Sequence, residues 1–210
     1  MHAEALRGFG PAGILAIAIV ALTGNIVLPN LLVIPVGALL VLLWAEVSGT
    51  PWRDLGYVRP SAWAVALGVA IGVALKLVLK YAVMPLFGAP RVNQAYHFLA
   101  GNTAILPTAI LGMCVVGFAE ETVFRAFFFE RLTKLFGGAR AATIAIVVVT
   151  SILFGLAHYS SAGIFAVEQA IITGAVFGTM FTMRRSIVPV IAAHAAFDIA
   201  AVLIIYLRFE

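Results

Sequence analysis

Long apolar runs separated by short polar turns account for almost the whole chain, at approximately 12–28, 31–47, 62–87, 104–128, 141–158, 162–183 and 187–207. Each is near the ~20 residues a helix needs to cross a bilayer. The runs are continuous rather than alternating, which predicts helices and argues against a barrel of short two-sided strands. In hydrocarbon every backbone polar group must be paired within its own segment. An all-α bundle of about seven spans is therefore expected. The first run follows Arg7 much as a signal peptide's apolar region would, but no small-x-small cleavage site follows it. It is expected to remain as a helix. No polar stretch is long enough for a second unit, so 1–210 is expected to be a single integral membrane domain.

Composition strengthens this picture. Hydrophobic residues fill 63% of the 210 positions and charged residues only 10%, where a soluble domain carries about a quarter. Mean hydropathy is +1.12. Lipid must be the solvent and the constant partner of this surface. The net charge of +4 could suggest an anionic partner, but the basic residues cluster at the ends of the runs. They read as topology, not as a nucleic-acid surface. Arg7, Arg53, Arg59, Arg131, Lys134, Arg140, Arg184 and Arg185 fall on one side, and only Arg91 and Arg208 on the other. The positive-inside rule then predicts N-in, C-out. Lys76 and Lys80 lie inside the third run, and snorkelling towards the outer interface is their simplest account.

The connection 48–61, with Trp52, Tyr57 and nearby Trp63, suits an interfacial loop whose rings rest at headgroup level. Gly68-x-x-x-Gly72 and Gly174-x-x-x-Gly178 permit close helix packing and say nothing of chemistry. The single Cys114 permits no intrachain disulfide and reads as a packing residue.

Ionisable groups inside membrane helices cost at least about 2.5 kcal/mol near the middle, so each needs a partner or a purpose. Glu121 and Arg125 stand four apart and share a helix face, where they can pair. Glu120 points roughly 100° away and is left for another task. His194 and Asp198 are also four apart on one face, and His158 ends the fifth run. Three helices thus offer acid–base groups to one cavity. Glu168, midway along the sixth run, and Phe154 are expected to line it. One geometric condition follows: His158 lies near the end of its helix and His194 near the start of its own. To meet, the fifth helix must begin well below the membrane, or the seventh must be displaced.

Glu120-Glu121-Thr122-Val123-Phe124-Arg125 fits Glu-Glu-x-x-x-Arg, Phe154-Gly155-Leu156-Ala157-His158 fits Phe-x-x-x-His, and His194-Ala195-Ala196-Phe197-Asp198 fits His-x-x-x-Asn/Asp. In this order, on separate apolar helices, the motifs resemble the CPBP family: type II CAAX prenyl endopeptidases and the Abi, bacteriocin-processing proteins. The likeness runs over about 111–200, within a family-like core of approximately 104–207. It implies an intramembrane endopeptidase in a bacterial or archaeal cell membrane, acting on a membrane-associated peptide that is prenylated or bears a leader. Glu120 and His158 would activate water, and His194 with Asp198 would hold the carbonyl and its oxyanion. Glu121 and Arg125 would brace the site. Because Asp198 stands where Asn is common, the favoured division has Asp198 orienting His194 and His194 donating to the oxyanion.

Metal-free hydrolysis, with no cofactor required, is the favoured chemistry. Zn²⁺ held by His158, His194, Glu120 or Asp198 is the alternative, although the chain has no His-Glu-x-x-His. Serine chemistry would want a Gly-x-Ser-x-Gly that Ser160-Ser161 does not provide, and aspartyl chemistry a second intramembrane Asp. Two rivals from other classes are a proton- or ion-coupled transporter, which would use Glu168 best, and a non-catalytic membrane immunity or scaffold protein.

Overall fold

The structure, a computed structural model, describes residues 2–24 and 33–209. Its regular elements are α1 (His2–Arg7), α2 (Pro11–Thr23), α3 (Ile34–Ser48), α4 (Ala62–Val78), α5 (Leu106–Glu121), α6 (Phe129–Phe136), α7 (Arg140–Ala157), α8 (Tyr159–Arg184) and α9 (Val188–Tyr206). A π turn (Leu79–Val83) and a 3-10 turn (Met84–Phe87) extend α4, a π segment (Thr122–Phe128) joins α5 to α6, and a 3-10 helix (Gln94–Leu99) precedes α5. No strand occurs among the described residues.

Local chemistry explains the boundaries. Proline occupies the first turn of α2, α3, α5 and α9, where its missing N–H costs nothing. Ser61 Oγ accepts from Ala64 N at 3.2 Å and caps α4. Gly49, in the left-handed region at φ 64, ends α3.

Five helices among the described residues are long and apolar enough to cross a membrane: Ala62–Phe87, Leu106–Phe136, Arg140–Ala157, Gly163–Arg184 and Val188–Tyr206. The two apolar helices before them are shorter, at 13 and 15 residues. At the helical rise they reach about 20 and 23 Å, against a hydrocarbon core of about 30 Å. The parts of the first two expected spans at 25–28 and 31–32 lie outside the described residues.

Glycine sets the closest approach. A Cβ on Gly68 would lie 2.3 Å from Pro189 O, and one on Gly72 would lie 2.0 Å from Ala193 O. Four residues along α4 match four along α9, so the two helices run parallel in near backbone contact. From the other side, a Cβ on Gly117 of α5 would lie 3.0 Å from Ala195 N. The turn of α9 that carries His194 is thus held between α4 and α5. Gly72→Ala is expected to lower the thermal unfolding midpoint in detergent by the equivalent of about 1–3 kcal/mol, as overpacking does. Gly112→Ala, where a Cβ meets nothing within 4 Å, should not lower it, because Ala is the better helix former.

The helix that precedes the fifth run supplies the length that lets His158 and His194 meet. The continuous unit Leu106–Phe136 has 31 residues, and its end lies about 24 Å beyond Glu120 by the helical rise. The 18 residues of α7 then climb about 27 Å and bring His158 back to the level of Glu120.

The loop before α4 only partly follows expectation. Trp52 and Trp63 are exposed, but Leu55 is fully buried and Tyr57 turns inward. Tyr57 Oη lies 2.6 Å from Thr122 Oγ1 in the π segment. Gly56, at φ 81, packs under the Phe181 ring, and its carbonyl accepts from Ile187 N at 2.8 Å. The loop thereby fastens the α8–α9 turn to the bundle. Burial pushes the Tyr57 phenol above its ordinary value, against a smaller opposing pull from Thr122.

Candidate active site

Glu120 and Glu121 are the last two residues of α5 and are fully enclosed, as are all seven residues of the π segment that follows. Consecutive helical residues diverge by about 100°, so the two carboxylates serve different neighbours. Glu121 Oε1 accepts from Arg125 Nη1 at 2.9 Å, the predicted pairing across one turn. Arg125 Nη2 donates to Gly174 O at 3.1 Å, and its guanidinium lies 4.6 Å from the Phe154 ring centroid. A cation buried this completely is tolerable because an anion, a carbonyl and aromatic faces surround it.

His194 stands between the two glutamates. Its Nδ1 lies 2.7 Å from Glu121 Oε1, and its Nε2 lies 3.6 Å from Glu120 Oε2 and 3.4 Å from Asp198 Oδ2. Since the Glu121 carboxylate can only accept, Nδ1–H donates to it and Nε2 faces the cavity. The tight partner of His194 is therefore Glu121, with Asp198 at the opposite nitrogen. Nδ1 of His158 lies 2.7 Å from its own helix's Phe154 carbonyl and donates to it, which turns Nε2 to within 4.0 Å of Glu120 Oε2. Two imidazole Nε2 atoms thus converge on one carboxylate oxygen. That oxygen is buried and has no hydrogen-bond partner among the described residues.

Exposure shows which side is open. The side chains of Glu120 and His194 are 2% and 4% exposed, those of His158 and Asp198 27% and 22%. Anything entering from that side would meet His158 and Asp198 first and Glu120 behind them. Phe154 does more than line the space, for its ring centroid is 4.7 Å from that of His158 and 5.8 Å from that of His194. Phe177, with its centroid 5.2 Å from His194, is a neighbour that the motifs did not single out. Its only sequence signal is its place inside Gly174-x-x-x-Gly178.

Glu168 is not drawn into this group. It makes no hydrogen bond or ion pair with the cluster among the described residues, and its Oε2 is buried without a hydrogen-bond partner there. The candidate zinc ligands lie near one another, with His194 Nε2 3.6 Å from Glu120 Oε2 and 3.4 Å from Asp198 Oδ2 and His158 Nε2 4.0 Å from Glu120 Oε2, while among the described residues no three His, Cys, Asp or Glu side chains are gathered as a formed metal site. Lys76 departs from expectation as well. Lys80 donates to the Arg91 carbonyl in the connection after α4, as a snorkelling side chain would, but Lys76 turns inward to Gln169.

An enclosed acid–base group inside a bundle of span-length apolar helices defines the class, an integral membrane protein with polar chemistry within its spans. Residues 102–200 match the family model of Rce1-like proteins, type II CAAX prenyl endopeptidases. That stretch, a little under half of the chain, holds all three motifs and is similar to that family, in agreement with the CPBP resemblance. Neither a curated protein nor a solved structure matches the chain.

Proposed function

We propose that the protein is an intramembrane endopeptidase of the glutamate type, cleaving a prenylated or leader-bearing peptide delivered from the membrane. The observation that carries this reading is the convergence of His158 Nε2 and His194 Nε2 on Glu120 Oε2. A water seated between Glu120 and His158 would surrender a proton to the carboxylate as its oxygen attacks the peptide carbonyl. Away from bulk water a carboxylate is a stronger base, which suits this task. His194, as the imidazolium, would donate Nε2–H to the developing oxyanion while Nδ1–H stays on Glu121. Asp198 would favour that charged ring and flank the carbonyl. Glu120 would then pass its proton to the leaving amine. A preorganised oxyanion donor is commonly worth about 3–4 kcal/mol of barrier. Arg125 would act through Glu121 by holding it in place.

The direct test is cleavage of a panel of farnesylated and leader peptides by the purified protein in liposomes, read on gels. Cleavage is expected to persist after exhaustive chelation, with no stoichiometric metal by elemental analysis. Activity lost to chelator and regained with Zn²⁺ would replace glutamate chemistry with metal chemistry.

The topology belongs to the same proposal: seven crossings, N-in and C-out, with α2 and α3 within the first two. On a background with Cys114 replaced, single cysteines placed at Gly138 and at Gln94 should label from opposite sides of sealed vesicles. Labelling from the same side would overturn the crossing between them, and labelling of position 138 from the outer face would overturn the orientation.

A further inference from the structure

Lys76 carries a charge that the hydrolytic scheme leaves unused. Its Nζ donates to Gln169 Oε1 of α8 at 3.3 Å and lies 4.9 Å from the centroid of the Phe197 ring on α9. No carboxylate lies within ion-pair distance of it among the described residues, and Asp198 acts on it only at longer range. An ammonium has three N–H donors, and here one meets a neutral amide while the charge leans on an aromatic face. Within the span such a charge is costly unless it has a use. Its neighbourhood suggests the use. Phe197 is adjacent in sequence to Asp198, which lies on the open side of the cluster. Phe197 also packs against Phe177, whose ring in turn covers His194. A peptide whose carbonyl sat at His194 would bring a neighbouring part of its chain to Lys76.

We propose that Lys76 and Gln169 form a carboxylate-binding subsite that anchors the substrate peptide beside the cleaved bond. The incoming carboxylate displaces the Gln169 amide oxygen from Nζ, and the Gln169 NH₂ turns to donate to it. The carboxylate comes from the peptide's C-terminus or from an acidic side chain. This inference rests on the hydrolytic reading, because it takes the occupant of the cavity to be a peptide.

The experiment uses dye-labelled farnesylated peptides ending Cys-Val-Leu-Ser in three forms: the free acid, the C-terminal amide, and an amide whose last residue is Glu. Binding is measured on the Glu120→Gln protein in nanodiscs, so that cleavage does not enter. The free acid should bind roughly ten- to a hundredfold more tightly than the amide, the range for a charge-assisted hydrogen bond. Binding of the Glu-ended amide as tightly as the acid identifies a side-chain carboxylate as an accepted source, and failure to do so restricts the subsite to the chain end. Adding Lys76→Met should erase the preference, and Lys76→Arg should restore part of it. On the protein with Glu120 intact, Lys76→Met should raise KM for the acid and leave kcat nearly unchanged. Equal binding of all three peptides overturns the subsite, and needs no variant at position 76 to be seen. Equal losses for acid and amide on Lys76→Met also overturn it and make Lys76 a counter-charge to Asp198. A carboxylate preference without any cleavage by the protein with Glu120 intact would sink the hydrolytic reading and leave the subsite standing.

Discussion

Glu120→Gln is expected to slow peptide cleavage by about 10²- to 10⁴-fold, the contribution of a positioned general base. The amide matches the carboxylate in size but cannot take a proton from water. Folding should survive, because Glu120 Oε2 has no hydrogen-bond partner among the described residues and the amide fills the same space. Peptide release from liposomes, set beside a thermal unfolding curve, measures both. Cleavage within threefold of the unmodified rate would remove Glu120 from the chemistry, and with it the proposed mechanism. A transporter would instead show altered ion coupling and no peptide products, while a scaffold protein would bind peptide before and after the change without cutting it.

Arg125→Met should produce the largest loss of stability, about 3–5 kcal/mol, because it strands the Glu121 carboxylate in the core. Unfolding in detergent with increasing denaturant would measure it. Lysine would be a poor substitute, since Arg125 divides its fork between Glu121 and the Gly174 carbonyl while lying over Phe154. Adding Glu121→Gln to Arg125→Met should recover much of the stability, because no unpaired charge then remains. It should not recover activity, because the neutral amide holds His194 Nδ1 less firmly. A destabilisation below about 1 kcal/mol for the single change would mean that water reaches the pair and the core is wetter than its burial implies.

The helical class and the chemical groups were legible in the sequence because both follow from short-range rules. Twenty-residue apolar runs force helices, and spacings of four put Glu121 with Arg125 and His194 with Asp198 on shared faces. What joins those faces was not legible. That Glu121 grips His194 at 2.7 Å depends on how α5 and α9 are rotated about their own axes, and glycines 117 and 72 set that rotation through backbone contact rather than through any pattern. The level of His158 depended on the length of the unit ending at Phe136, whose amphipathic last turns continue the helix beyond the apolar run. Tyr57 looked interfacial because its ring suits headgroups, but a buried Thr122 hydroxyl offered it a better partner. Lys76 was misjudged for a similar reason, since a long side chain can turn either way and only the position of Gln169 decides which.

His194 is held at Nδ1 by Glu121, 2.7 Å away, while its Nε2 faces Glu120 Oε2 at 3.6 Å. A ring gripped in this way cannot turn over by half a revolution without breaking that bond inside the core. It should therefore sit motionless in nuclear magnetic resonance spectra, with an Nδ1 proton far downfield that trades slowly with solvent. Loosening Glu121 would set the ring spinning, and that change of tempo would be visible before any substrate is added.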